Sequence, residues 1–227
     1  MKKRHALVTG ASSGIGLAIV TTLLNDGWRV TGLSRTAPEI HHPDFTTIRV
    51  DLMNTAQLLH SLEDITTIDA LIHAAGKMTS APLGQLNLPE SQTLWHLHIH
   101  VAELLANTLV PKMGSGGRII LIGSRTSRGV AGRSQYVATK SAMVGMVRSW
   151  AAELATKGIT ANIIAPGATE TPMLADPQRQ QSPPKLPPIG RYIQPQEVAE
   201  YVRYIASPHA GAITGQELVI CGGASLS

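Results

Sequence analysis

Tyr136 and Lys140 stand four residues apart near the start of a segment with helical character, so their side chains share one helix face. A free phenol ionises near pH ~10 and is poorly matched to proton transfer at neutral pH. An ammonium one turn away favours the phenolate. Lowering the phenol by about 2–3 units takes roughly 3–4 kcal/mol of differential stabilisation, much of which a close, poorly solvated cation supplies. A Tyr-x-x-x-Lys pair alone is common and usually structural, so its meaning depends on the rest of the chain.

A second set of residues suits a phosphate. Gly10, Gly14 and Gly16 lie between an apolar run and a helical one. Small residues there let the backbone approach a pyrophosphate, and a helix N-terminus offers free N–H groups and partial positive charge. The spacing G-x-x-x-G-x-G departs from the commoner G-x-G-x-x-G. About 20 residues further on, dinucleotide folds place a carboxylate on a ribose 2′-hydroxyl, or an arginine on a 2′-phosphate. Here that place holds Ser34-Arg35 and no carboxylate. Arginine pairs with phosphate bidentately and Ser34 does not repel it. The expectation is NADP(H) in preference to NAD(H); the plainer alternative is a solvated arginine at a strand end.

The elements that position these residues alternate. Strands are predicted at 5–9, 29–33, 46–50, 70–73, 118–122, 160–164 and 217–220. Helices are predicted at 14–25, 56–62, 89–113 (mostly helical), 134–157 and 196–206. Gly27 suits a C-terminal cap. Near-continuous apolar strands such as 119–122 fit a sheet buried on both faces. The expected class is α/β: a Rossmann-type doubly wound, seven-stranded parallel sheet in a single domain, residues 1–227. The stretch 176–189 carries five prolines and cannot be helical.

Composition narrows the function classes. A chain of 227 residues suits one domain burying about 70% of its unfolded surface. Charged residues make up 15% against an ordinary share of about 25%, which points to an extensive interior and subunit interfaces. The single cysteine, Cys221, excludes an intrachain disulfide and zinc sites built on paired cysteines, and suits a reducing compartment. No metal site is expected. The net charge of +4 is spread out, and Lys2-Lys3-Arg4 is the one contiguous basic run. Nucleic-acid binding therefore has little behind it. Polar and glycine residues from Thr9 to Gly16 interrupt what would otherwise pass for a signal peptide. No apolar run reaches the ~18 residues of a membrane span. The expected location is cytoplasmic.

TGASSGIG at 9–16, Asp51-Leu52, Ala75-Gly76, Ser124, Tyr136-x-x-x-Lys140, PGATET at 166–171 and ITGQELVICGG at 213–223 occur in that order. Together they resemble the short-chain dehydrogenase/reductase family, in particular its 3-oxoacyl reductase-like members, from Ala6 to Gly223. The resemblance implies that Gly10, Ser12, Ile15 and Gly16 contact the cofactor's phosphates and adenosine, and that Asp51 and Leu52 flank the adenine. Ala74, Ala75 and Gly76 would line the cofactor. Pro166, Gly167, Thr169 and Thr171 would hold its nicotinamide end. Tyr136 would be the general acid in reduction and the base in oxidation. Lys140 would bind the ribose and lower the phenol pKa, and Ser124 would bond the carbonyl oxygen. It also implies a homotetramer or homodimer packed through the helices at 89–113 and 134–157.

The chain departs from the family pattern in places. His73-Ala74-Ala75-Gly76 stands where Asn-Asn-Ala-Gly is frequent, and His98 where a catalytic asparagine is expected. An imidazole both donates and accepts, and could replace the amide in a proton relay with a pH dependence near ~6.5. The alternative is a non-catalytic histidine sharing a face with His96 and His100. Ser124 and Tyr136 are one residue closer than the family leads one to expect, which makes Ser127 the fallback serine. Cys221 stands where aspartate is frequent and reads as a small buried residue. The segment 172–188 is expected to be a short, proline-stiffened lid over a small-molecule carbonyl or alcohol. Lys77, Arg125, Arg128 and Arg179 fall near its mouth, where an anionic substrate is one reading and ordinary solvated charge the favoured one. Two functions stay open: an NADP(H)-dependent oxidoreductase using Tyr136, and a non-catalytic NADP(H)-binding regulator with a degenerate site.

Overall fold

The computed structural model describes residues 3–175 and 183–226. Seven strands form one all-parallel sheet: β1 (His5–Thr9), β2 (Arg29–Ser34), β3 (Phe45–Arg49), β4 (Ile68–His73), β5 (Met113–Ile122), β6 (Thr160–Pro166) and β7 (Glu217–Ile220). Their spatial order is β3-β2-β1-β4-β5-β6-β7. The chain runs outward from β1 in one direction, then restarts at β4 and runs outward in the other. The seam between β1 and β4 is thus a topological switch point, where open α/β sheets bind ligands beyond the strand C-termini.

Alternation along the strands loads both faces. Leu7, Leu33, Leu71, Ile119, Leu121 and Ile163 bury one face against α4 (Val101–Leu109) and α5 (Ser134–Leu154), chiefly Leu105, Leu109, Met143 and Val147. Ala6, Val8, Val30, Ile72, Ile120 and Ile164 bury the other against α1 (Gly14–Asn25) and α6 (Pro195–Ala206), through Ile19, Leu23, Val198 and Val202. Each large apolar side chain so enclosed contributes about 1.5–3 kcal/mol relative to exposure. Side-chain caps start the shorter helices: Asn54 accepts from Gln57 N in α2 (Thr55–His60), and Asn87 from Glu90 N in α3 (Leu88–Trp95).

Two departures from the sequence reading matter. The segment expected as one helix over 89–113 is α3 and α4 joined by a π-helical turn at His96–His100, and it ends in a 3₁₀ turn at Val110–Lys112. Strand β5 begins at Met113 rather than 118. Met113 pairs with Ile68, and the register shifts before Ala70 pairs with Arg118. The Gly-Ser run at 114–117 shows no apolar pattern, yet its backbone continues the strand. The remaining elements match with shifts of one or two residues at their ends, except that α5 stops at Leu154, three residues early, and passes into a 3₁₀ turn over Ala155–Lys157.

Candidate active site

The turn after β1 depends on two glycines. Gly10 has φ +68, and a side chain there would press on the Ala75 backbone at 2.9 Å. At Gly16, a Cβ would fall well inside van der Waals distance of the Gly10 carbonyl oxygen. This packing brings the start of α1 against the turn. Ser13, the N-cap of α1, makes no side-chain cap bond, and no acidic residue occupies the first turn. First-turn amides without a capping side chain, beside a backbone that excludes side chains, fit a pyrophosphate.

A cavity of about 760 Å³ opens at the C-terminal ends of β4, β5 and β6. Ser124, Tyr136, Lys140 and His98 all line it, as do Ile15, Ala74, Gly76, Pro166, Gly167, Thr169 and Thr171. Ser12, Gly10 and Gly16 belong to the turn beside it, and Ala75, just past β4, packs against Gly10. Ser34, Arg35, Asp51 and Leu52 sit further along the sheet edge, at the ends of β2 and β3, and do not line the cavity. The Ser34 hydroxyl donates to Thr36 O at 2.7 Å. Arg35 is exposed and forms no ion pair among the described residues. The Asp51 carboxylate accepts from Met53 N, and Leu52 is buried in the core.

Local bonds fix each side chain. Ser124 is buried; its Oγ accepts from Thr126 N at 3.2 Å and lies 2.9 Å from Thr126 Oγ1. The 3₁₀ turn Arg125–Arg128 follows, and glycines at 129 and 132 with positive φ absorb the short link to Tyr136. The Ser127 hydroxyl donates instead to Glu217 on β7, and Ser127 does not line the cavity. Of the two serines, the geometry brings Ser124 to Tyr136 and Lys140. The loop after β6 is stitched by Gly167 N to Ile220 O, Ile193 N to Ala168 O and Glu170 N to Ile193 O.

Lys140 is enclosed; its ammonium donates to Ile122 O at 2.9 Å and lies 5.7 Å from the centre of the Tyr136 ring. Burial lowers its pKa to about 7. In the unfolded chain the group ionises near 10.5, so between these values the unfolded chain holds the extra proton. Stability from this group is complete above the upper value and falls as pH drops through the lower one. The melting temperature of cofactor-free protein, relative to that of Lys140→Met, should therefore climb from pH 7 to 10 in calorimetry.

His98 is fully buried, and its ring lies edge-on to Tyr136 with centroids 5.8 Å apart. Lys77 N donates to Nε2 at 3.2 Å, and Nδ1 lies 2.8 Å from Thr139 Oγ1. Burial first, then the Lys140 charge, hold His98 well below its ordinary pKa, so its titration does not supply a pH dependence near neutrality. Nor does it share a face with His96 and His100, whose rings pack on each other at 5.0 Å. Residues two apart project differently on a helix, and the π turn separates them further.

The charges foreseen at the cavity mouth are largely taken. Lys77 pairs with Glu90 at 2.7 Å, and Arg125 donates to Ala224 O at 3.0 Å. Arg128 does not line the cavity, and Arg179 lies outside the described residues. Part of the expected lid, 176–182, also lies outside them; 183–188 is non-helical, and Pro183, Pro184, Lys185, Leu186 and Pro188 border the cavity. Three participants were missed: Thr9, which takes the amides of Ala74 and Ala75, Thr139, and Glu217. Thr139 had a signal in lying between Tyr136 and Lys140; Glu217 had none. The described residues include no cluster of three or more metal-binding side chains, and no described helix is long and apolar enough to cross a membrane.

Known proteins resemble this chain in sequence and fold. Residues 10–225 match the family described as enoyl-(acyl carrier protein) reductase. The chain is 33% identical over 234 residues to 3-oxoacyl-(acyl-carrier-protein) reductase FabG of Salmonella typhimurium, covering 96% of each chain. A short chain dehydrogenase family protein from Francisella tularensis shares the fold with a TM-score of 0.92 at 23% identity, each chain fully covered. BdcA in complex with NADPH superposes with a TM-score of 0.84 at 29% identity, over 97% of this chain and 93% of that one. With this sheet order, these motifs and matches of this extent, the chain belongs to the short-chain dehydrogenase/reductase family of oxidoreductases.

Proposed function

We propose that the protein is an NADP(H)-dependent oxidoreductase that interconverts a carbonyl and an alcohol, with Tyr136 as the proton-transfer group. The observation that carries this reading is the convergence of Ser124, Tyr136 and Lys140 on one cavity at the strand ends, beside the 166–171 loop. When bound, the cofactor supplies or accepts the hydride. The α1 amides and the Gly10–Gly16 turn hold its phosphates, and Pro166, Gly167, Thr169 and Thr171 its nicotinamide end. Ser124 orients the substrate oxygen. In reduction, Tyr136 Oη gives its proton to that oxygen as negative charge develops there, and in oxidation it takes the proton back. Lys140 steadies the tyrosinate and binds the ribose. The lid of this single domain is assigned to the segment 172–188, whose described parts border the cavity through Met173, Leu174, Pro183 and Pro184.

Arg35 supports the cofactor preference, being exposed at the end of β2 with no ion pair among the described residues. The NADPH in the BdcA complex is consistent with it. Thermal unfolding with NADPH, NADH or neither tests this. At 100 times the dissociation constant, NADPH should add about 2.7 kcal/mol, a rise of roughly 5–10 °C for a domain of this size. Arg35→Asp should abolish the preference, because one charge-assisted phosphate contact is worth about 1.5–3 kcal/mol. An equal or larger shift with NADH in the unaltered protein would overturn the assignment.

The named activity of the Salmonella relative makes 3-oxoacyl compounds the first to screen. The regulator alternative drew on the two histidines; both rings are hydrogen-bonded at both nitrogens as neutral groups, which supports the oxidoreductase reading over a degenerate site. We further propose a cytoplasmic homotetramer or homodimer packed through α3, α4 and α5, where Trp95 is exposed and Ile99, Leu104, Met146 and Trp150 are half-buried.

A further inference from the structure

Two buried histidines link the cofactor turn to the catalytic helix. His73, at the end of β4, has Nδ1 2.9 Å from Thr9 Oγ1 and Nε2 3.0 Å from Leu97 O. A carbonyl only accepts, so Nε2 carries the hydrogen and Nδ1 is bare. Nδ1 therefore receives the Thr9 hydroxyl hydrogen, while Thr9 Oγ1 accepts from Ala74 N and Ala75 N, both at 3.1 Å. In His98 the roles are reversed. Lys77 N–H occupies Nε2, so Nδ1 carries the hydrogen and donates to Thr139 Oγ1, whose own hydrogen goes to Tyr136 O at 2.9 Å. The two imidazoles are thus fixed in opposite tautomers.

The π turn couples them. Val101 N–H bonds His96 O, five residues back, and not Leu97 O, four back as in an α-helix. His73 takes the Leu97 carbonyl that this shift releases from Val101, and the neighbouring residue is His98. Hydrogens are donated in one direction along this path: from the Ala74 and Ala75 amides to Thr9, to His73, to Leu97 O; then from His98 to Thr139 and to the Tyr136 backbone.

We propose that His73 is a positioning residue of this site. It pins the π turn at Leu97, holding His98 in register and, through it, the Lys77 amide and the first turn of α5 that bears Tyr136. The inference rests on the oxidoreductase reading for its effect on turnover, but its structural content can be read without turnover.

Imidazole ¹⁵N NMR of the full chain should show His73 protonated at Nε2 and His98 at Nδ1. The same tautomer in both rings would overturn the proposal. The variants His73→Gln and His73→Asn then separate the ring's two ends. A glutamine amide is long enough to reach Leu97 O; an asparagine amide reaches Thr9 only. With the positioning role, His73→Asn moves the His98 signals and lowers kcat roughly 10- to 100-fold with KM little changed, as a misplaced reacting group would. His73→Gln keeps the His98 signals and most of kcat. Unmoved His98 signals in His73→Asn, or equal losses in both variants, would overturn it. Should the unaltered protein show no turnover on any carbonyl, the oxidoreductase reading fails, and the His98 signals alone decide on His73.

Discussion

Tyr136→Phe should lower turnover by about 10²–10⁴-fold, the usual contribution of a positioned proton-transfer group, while leaving cofactor-induced thermal stabilisation intact. The substitution removes one oxygen and keeps the ring that faces His98 edge-on, so the packing around Lys140 survives. The loss should fall on kcat, since the phenolic hydrogen is needed most where charge develops on the substrate oxygen. The check pairs steady-state kinetics on a validated carbonyl with a melting curve in NADPH. Full turnover with phenylalanine would remove Tyr136 from the chemistry and leave the fold unaffected.

Gly16→Ala should damage the protein differently, acting on the turn and not on proton transfer. The added methyl points at the Gly10 carbonyl oxygen, and both partners are backbone or attached directly to it. No rotamer relieves the overlap, so α1 must move off the turn. Overpacking of this kind costs about 1–3 kcal/mol, occasionally more, or at least roughly 2–4 °C of melting temperature for a domain of this size. The displaced amides no longer converge on a phosphate, so NADPH affinity should fall together with stability. Calorimetry and a cofactor titration measure the two losses. A variant as stable and as tight as the parent would show that the helix start can move without cost.

The inner strands were legible because they are buried on both faces and therefore apolar almost throughout, as at 119–122, whereas the edge strands β3 and β7 are only partly buried. The turn after β1 was legible because close backbone approach admits glycine alone at 10 and 16. Tyr136 and Lys140 were legible because a helix places residues four apart on one side. The π turn was not, since a backbone insertion leaves no apolar signature. The alternate histidines at 96, 98 and 100 held a clue, because residues spaced by two cannot all share one helical face. The early start of β5 was hidden behind Gly114–Gly117, which have no apolar pattern and fall in the register shift between the Met113 and Arg118 pairs. Ser124 was the first choice from the sequence; the bond that engages the fallback, Ser127, comes from Glu217, some 90 residues away.

The seam between β1 and β4 divides labour along the chain. The glycine turn and Arg35 follow β1 and β2, whereas most of the cavity lining comes from β4 onward. The halves meet where Gly10 abuts Ala75 and Thr9 binds the amides beyond His73. Mutations in the cavity-bordering segments 77–78 and 183–188 therefore lie outside the glycine turn and the Arg35 end of the sheet. Under the proposed function, substitutions there change the groups that meet a substrate and leave the Gly10–Gly16 turn and Arg35 as they are.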